Sequence, residues 1–69
     1  MPDQNITLNG SPHPLPESLT VAALLDALGM TGKPVVVELN REALTPAEHL
    51  TTTIHPGAQV ELVTLAAGG

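Results

Sequence analysis

Residues Thr20 to Leu39 read "TVAALLDALGMTGKPVVVEL", and the order of elements within this stretch decides the fold. Val21, Leu24, Leu25 and Leu28 recur at i, i+3, i+4 and i+7, which lines one face of a helix. Thr20 is placed as an N-cap whose hydroxyl accepts a first-turn N–H, and Leu19 and Leu24 are spaced for a hydrophobic staple. Gly29 supplies the left-handed residue on which helices end. About nine residues is too short for a helix to persist alone in water, so the stripe must pack on something larger. Pro34–Leu39, "PVVVEL", is apolar and β-branched, the composition of a buried strand.

Upstream, Gln4-Asn5-Ile6-Thr7-Leu8 alternates polar and apolar residues, as a half-buried strand does. Asn9-Gly10 follows, the pair favoured where both central residues of a type I′ hairpin turn need positive φ. A two-residue loop there sets Leu8 against Ser11, Ile6 against His13 and Gln4 against Leu15. Prolines then fall at 12, 14 and 16, all of one parity, so the missing N–H groups lie along a single edge. The reading is an edge strand blanked by proline on its outer side, with an irregular Pro-rich loop as the equal alternative.

Downstream, Asn40-Arg41-Glu42 reads as a tight turn into a short return strand at Ala43-Leu44. Thr45-Pro46-Ala47-Glu48 carries the Thr N-cap and Pro N1 of a helical turn. His55-Pro56-Gly57-Ala58 is a turn cluster, and Gln59–Leu65, "QVELVTL", is a last strand. Val60, Leu62 and Thr64 take one face of that strand, and Glu61, Val63 and Leu65 the other. Apolar residues on both faces mark a central strand. One short helix cannot cover two sheets, so the economical fold is α+β: a mixed sheet of four to five strands with the helix across one face. That arrangement is a β-grasp. The chain is expected to be a single domain, residues 1–69, with a globular body over about 4–64 and a flexible tail over 65–69.

Composition narrows the function. The 69 residues include no Cys, Trp, Tyr or Phe, so the core must be built from eleven Leu, six Val and two Ile with Ala as filler. Thiol nucleophiles, disulfides and cluster ligation are excluded. Seven acidic residues against Lys33 and Arg41 leave a net charge of −5, which argues against nucleic acid and suits a basic partner surface. No apolar run approaches the ~20 residues of a membrane span, and the start carries no secretory pattern, so a cytoplasmic protein is expected. His49 and His55 lack accompanying Cys or carboxylate ligands and read as loop histidines on the surface, and His13 as facing its ladder or solvent. Glu38, Glu42 and Glu48 read as solvated charges. No catalytic residue and no metal site is expected.

The tail differs. Leu65-Ala66-Ala67-Gly68-Gly69 follows a strand expected to be central, and glycine lacks a Cβ, so such an end can thread a narrow channel. Its one reactive group is the Gly69 α-carboxylate. In "ITLNG", "TVAALLDALG", "VVVELNRE", "TPAEHL" and "HPGAQVELVTLAAGG", in that order and at this length, the chain resembles the bacterial sulfur-carrier proteins of the ubiquitin-like β-grasp superfamily. Within them it is most similar to the thiamine-biosynthesis carriers, the ThiS family. Two departures stand out: Pro-Gly-Ala before the last strand, where such carriers often have Gly-Asp, and the Pro-rich second strand.

The resemblance implies a carrier that is a protein co-substrate and no enzyme. Gly69 would be adenylated by an E1-like (ThiF-like) enzyme using ATP and Mg²⁺. It would then be converted to a thiocarboxylate with sulfur from a cysteine desulfurase or rhodanese-type donor, and deliver that sulfur to a ThiG-like thiazole synthase. Leu65, Ala66, Ala67 and Gly68 would thread the partner's active site. An apolar patch on the helix-free sheet face, with Val63 and Leu65 and an acidic rim including Glu61, would dock the body. The alternatives are a carrier for another pathway, such as the small subunit of molybdopterin synthase, and a β-grasp interaction module without tail chemistry. Ubiquitin-like tagging through an isopeptide bond is a third.

Overall fold

The computed structural model describes residues 4–65. Its elements, in chain order, are β1 (Asn5–Leu8), β2 (Ser11–Pro14), β3 (Leu19–Thr20), helix α1 (Val21–Ala27), β4 (Val35–Leu39), β5 (Glu42–Leu44), a 3-10 helix (Pro46–Leu50), β6 (Thr53–Ile54) and β7 (Gln59–Thr64). Five strands form one mixed sheet in the order β2-β1-β7-β4-β5, and β3 pairs with β6 in a separate two-stranded ribbon. This is the β-grasp expected, with five strands in its sheet.

Both hairpins turn on paired positive φ values. Asn9 (50°) and Gly10 (83°) join β1 to β2, and Asn40 (51°) and Arg41 (72°) join β4 to β5. The first hairpin takes the register that its turn dictates: Leu8 opposes Ser11, Ile6 opposes His13, and the Leu15 N–H donates to the Gln4 carbonyl at 2.7 Å. Pro12 and Pro14 lie in β2, an outer strand of the sheet, so the edge-strand reading holds over the alternative loop. In the second hairpin Glu42 already belongs to β5, opposite Leu39, so the turn is the two residues Asn40-Arg41.

Helix α1 begins and ends as its sequence dictates. The Thr20 hydroxyl accepts from the Ala23 N–H at 3.1 Å. At the other end Gly29 (φ 73°) lets its own N–H reach the Asp26 carbonyl while the Met30 N–H reaches that of Leu25, the paired bonds of a Schellman motif. Val21, Leu24 and Leu25 are buried against the sheet, with Ile6, Val37 and Val60 opposite them. Leu15 and Ile54 close the core beneath the ribbon. Among the described residues every fully buried large side chain is aliphatic.

The ribbon of β3 and β6 was not anticipated; its two-residue strands are too short for a period to register. It does local work, because Val21 N–H donates to the Thr52 carbonyl and so ties the helix start to the chain after the 3-10 helix. Glu48 is exposed, as a solvated charge should be, and it also caps its helical turn. Its carboxylate accepts from the Thr45 backbone N–H at 2.8 Å while the Thr45 hydroxyl accepts from the Glu48 N–H, closing a capping box. The backbone bond first, then the bond to the Thr45 hydroxyl, holds the Glu48 carboxyl below the usual carboxylate range.

Two outcomes follow. Leu24→Ala should cost about 2–5 kcal/mol in urea unfolding, since the neighbouring aliphatic chains cannot refill the space; a cost under about 1 kcal/mol would contradict the packing described. A carboxyl with a depressed folded value stabilises the fold above its unfolded value and loses that contribution as pH falls through the folded one. The stability gap between the native chain and Glu48→Gln should therefore be present at neutral pH and shrink on acidification below the usual carboxylate range. A gap independent of pH would contradict the capping box.

Candidate functional site

β7 is the axis of the site. It lies between β1, to which it is parallel (Thr7 with Gln59, Leu8 with Val60), and β4, to which it is antiparallel from Val35–Thr64 through Leu39–Val60. The pairing with β1 is short, because the chain turns away at Asn9, and it leaves the N–H of Leu62 without a strand partner on that side. The Asn9 side-chain oxygen fills the vacancy, accepting from Leu62 N–H at 2.7 Å. The Asn40 side chain does the same for Gln59 N–H at 2.9 Å. Both turn asparagines thus hold the central strand as well as adopting the positive φ of their turns. Beyond Thr64 the ladder continues one step, with Leu65 N–H donating to the Pro34 carbonyl at 2.9 Å.

The strand's two faces part as expected. Val60 is buried and Leu62 half-buried beneath the helix, whereas Glu61, Val63 and Leu65 are exposed on the parity that faces away from it. Val63 and Leu65 leave 50% and 52% of their surfaces in solvent. The β4–β7 register adds neighbours that reasoning from sequence missed: Val36 stands opposite Val63, and Glu38 opposite Glu61. A strip of valines therefore runs beside two carboxylates on adjoining strands. Like charges directly opposed across strands are unfavourable. A cation brought by another molecule would relieve them. Register between distant strands is not encoded in any local motif, so no signal in the sequence could have paired these residues.

The expected tail residues Ala66, Ala67, Gly68 and Gly69 lie outside the described residues, and only Leu65 of that segment is placed. The histidines are scattered. His13 Nδ1 lies 2.9 Å from its neighbouring Pro14 carbonyl, and His55 Nδ1 lies 3.4 Å from Ser18 Oγ. His49 is no loop histidine: it sits on the 3-10 helix, half-buried, with Nε2 shielded from solvent and lacking a hydrogen-bond partner among the described residues. Among the described residues no three His, Asp or Glu side chains gather as metal ligands, and no helix is long and apolar enough to cross a membrane.

Comparison with known proteins agrees with this architecture. The crystal structure of a thiamine biosynthesis protein (ThiS) from Geobacter metallireducens superposes with a TM-score of 0.82 at 40% identity, covering 94% of this chain and 99% of that one. A solution structure of a thiamine biosynthesis protein from the same organism gives 0.79 at 40% identity, covering 94% and 87%. The sulfur carrier protein ThiS of Thermus thermophilus is 39% identical over 64 residues, 93% of this chain and 98% of its own. A thiazole synthase of Paramagnetospirillum magneticum is 31% identical over 64 residues, and there the chain spans only 20% of the relative's length. The sequence model of the ThiS family matches residues 4–69. On these grounds the chain belongs to the ThiS family.

Proposed function

We propose that this chain is a sulfur carrier of thiamine biosynthesis that works in the cytoplasm as a protein co-substrate, not as a catalyst. The single observation that carries the reading is the placement of β7. It is a central strand gripped on both sides, and it leads through Leu65 directly to Gly68-Gly69. Family membership supports the same reading, and the segment similar to this chain within a thiazole synthase supports that class of enzyme as the sulfur acceptor.

The chemistry follows from the nature of a carboxylate, which is a poor electrophile because its charge repels nucleophiles and its leaving group would be oxide. A Gly69 oxygen attacks the α-phosphorus of ATP on an E1-like enzyme, and pyrophosphate departs to leave an acyl-adenylate. A persulfide from a cysteine desulfurase or rhodanese-type donor attacks the acyl carbon and expels AMP. A second thiol then takes the outer bond of the acyl persulfide, forming a disulfide and releasing the Gly69 thiocarboxylate. ATP and Mg²⁺ are the activating enzyme's. Within this chain, β7 presents the tail and the body docks.

Docking is a requirement of magnitude. Ordering the four residues after Leu65 costs about 4–8 kcal/mol, and two alanines and two glycines bury too little to offset it. The exposed Val63 and Leu65, with half-buried Val36 beside them, supply apolar area, and the Glu38–Glu61 pair invites a basic residue of the partner. Gly68 admits the end to a channel too narrow for a side chain.

Incubation with ATP, a sulfide donor and the activating enzyme should raise the intact mass by the difference between sulfur and oxygen, and deletion of Gly69 should abolish both that increment and AMP transfer. An unchanged mass for the full chain would leave an interaction module; a truncated chain that still accepts AMP would put the chemistry elsewhere. Val63→Asp should weaken the use of the chain by its partner about tenfold or more, as loss of a buried apolar anchor does, with unfolding temperature unaltered because the residue is half in solvent.

A further inference from the structure

A groove of ≈ 520 Å³ adjoins the valine strip, sharing Val36 and Leu65 with it, and runs between α1, the α1–β4 loop, β4, β5 and the 3-10 helix. Its walls are apolar, with Leu25, Met30, Leu44, Leu50 and Leu65 among them. Leu50 leaves 71% of its surface in solvent, the most of any large apolar residue among those described. An exposed leucine on the rim of an aliphatic trough is unfavourable until something covers it.

Two polar features mark the same groove. Lys33 lines it, and His49, which also lines it, holds the shielded and unpartnered Nε2. Lys33 and Arg41 are the only Lys or Arg residues of a chain with net charge −5, and they sit at opposite ends of β4. Lys33 precedes Val35, beside the end of β7 from which the tail leaves; Arg41 follows Leu39, at the far end. Lys33, the one Lys or Arg among the described residues at the tail's end of β4, thus lines the groove.

We propose that this groove is a second docking site, taking a short apolar segment flanked by a carboxylate on the surface of the enzyme that adenylates Gly69. This rests on the carrier reading. Four residues separate Leu65 from the reacting carbon of Gly69, a reach of at most about 14 Å. Any enzyme closing on that carbon therefore comes within about 14 Å of Leu65, which is a wall of the groove. The enzyme's apolar side chains cover Leu50, and its carboxylate meets the Lys33 ammonium. The Glu38–Glu61 pair beside the valine strip calls for a basic contact and Lys33 at the groove for an acidic one, so these adjoining surfaces carry opposite charge and fix the orientation of the bound body.

The test uses the full chain with its activating enzyme, reading the Kd by calorimetry and the KM and kcat of ATP–pyrophosphate exchange. Leu50→Ser and Lys33→Glu should each raise Kd and KM about tenfold, the loss typical of a truncated interface anchor, while kcat at saturation and the unfolding temperature hold. Arg41→Glu changes the net charge as Lys33→Glu does and should leave binding unaltered. Kd values within twofold of the unmodified chain for both groove variants would overturn the proposal, as would an equal loss on Arg41→Glu, which would make the effect one of net charge. Self-association of the unmodified chain that Leu50→Ser abolishes would assign the groove to a second copy and overturn it too. Failure of the unmodified chain to support any exchange would instead refute the carrier reading.

Discussion

The structure depends on how β7 is held. A terminal strand at the edge of a sheet would fray, whereas this one is paired with β1 on one side and β4 on the other. Its weak point is the short parallel pairing with β1, and there Asn9 replaces a missing strand with a side-chain oxygen. Asn40 provides the same service at the start of the strand. Two residues selected by turn geometry are therefore also the clamps of the functional strand. Through them and the Leu65–Pro34 bond, the stability of the body is transmitted to the point at which the tail begins.

This arrangement explains how so small and plain a core suffices. Helix α1 is a mere seven residues, and it survives because Thr20, the Schellman turn at Gly29 and the bond from Val21 to Thr52 fasten both its ends. No aromatic residue is available to bury, so the core relies on interlocked Leu, Ile and Val from the helix, the sheet and the ribbon. The proposed carrier role asks for a firm origin for the tail and surfaces that a larger enzyme can grip, and the large apolar residues left exposed among those described are Leu50, Val63 and Leu65.

Much of this was legible in the sequence, for reasons that differ from residue to residue. Asn9-Gly10 carried its turn type and, through it, the register of the first hairpin. The parity of Pro12, Pro14 and Pro16 marked a free edge because proline's missing donor alternates with strand geometry. The helix announced itself by period, cap and terminal glycine. What stayed hidden depended on contacts between distant segments: the β3–β6 ribbon, the burial of Leu15, the pairing of Glu38 with Glu61, and the groove that Lys33 and His49 both line. The capping box at Glu48 is local and readable from Thr45 and Glu48 at N-cap and N3, although an exposed glutamate on a turn reads equally well as a solvated charge alone.

The central claim is that the folded body, and not the tail alone, makes Gly69 a substrate. The direct measurement compares adenylation of the intact chain with that of a synthetic peptide of residues 60–69, at equal concentration and with the same enzyme. The account predicts that the peptide is used roughly a hundredfold less efficiently or worse, because nothing but its own few contacts offsets the ordering of its backbone. A peptide adenylated as efficiently as the intact chain would contradict it.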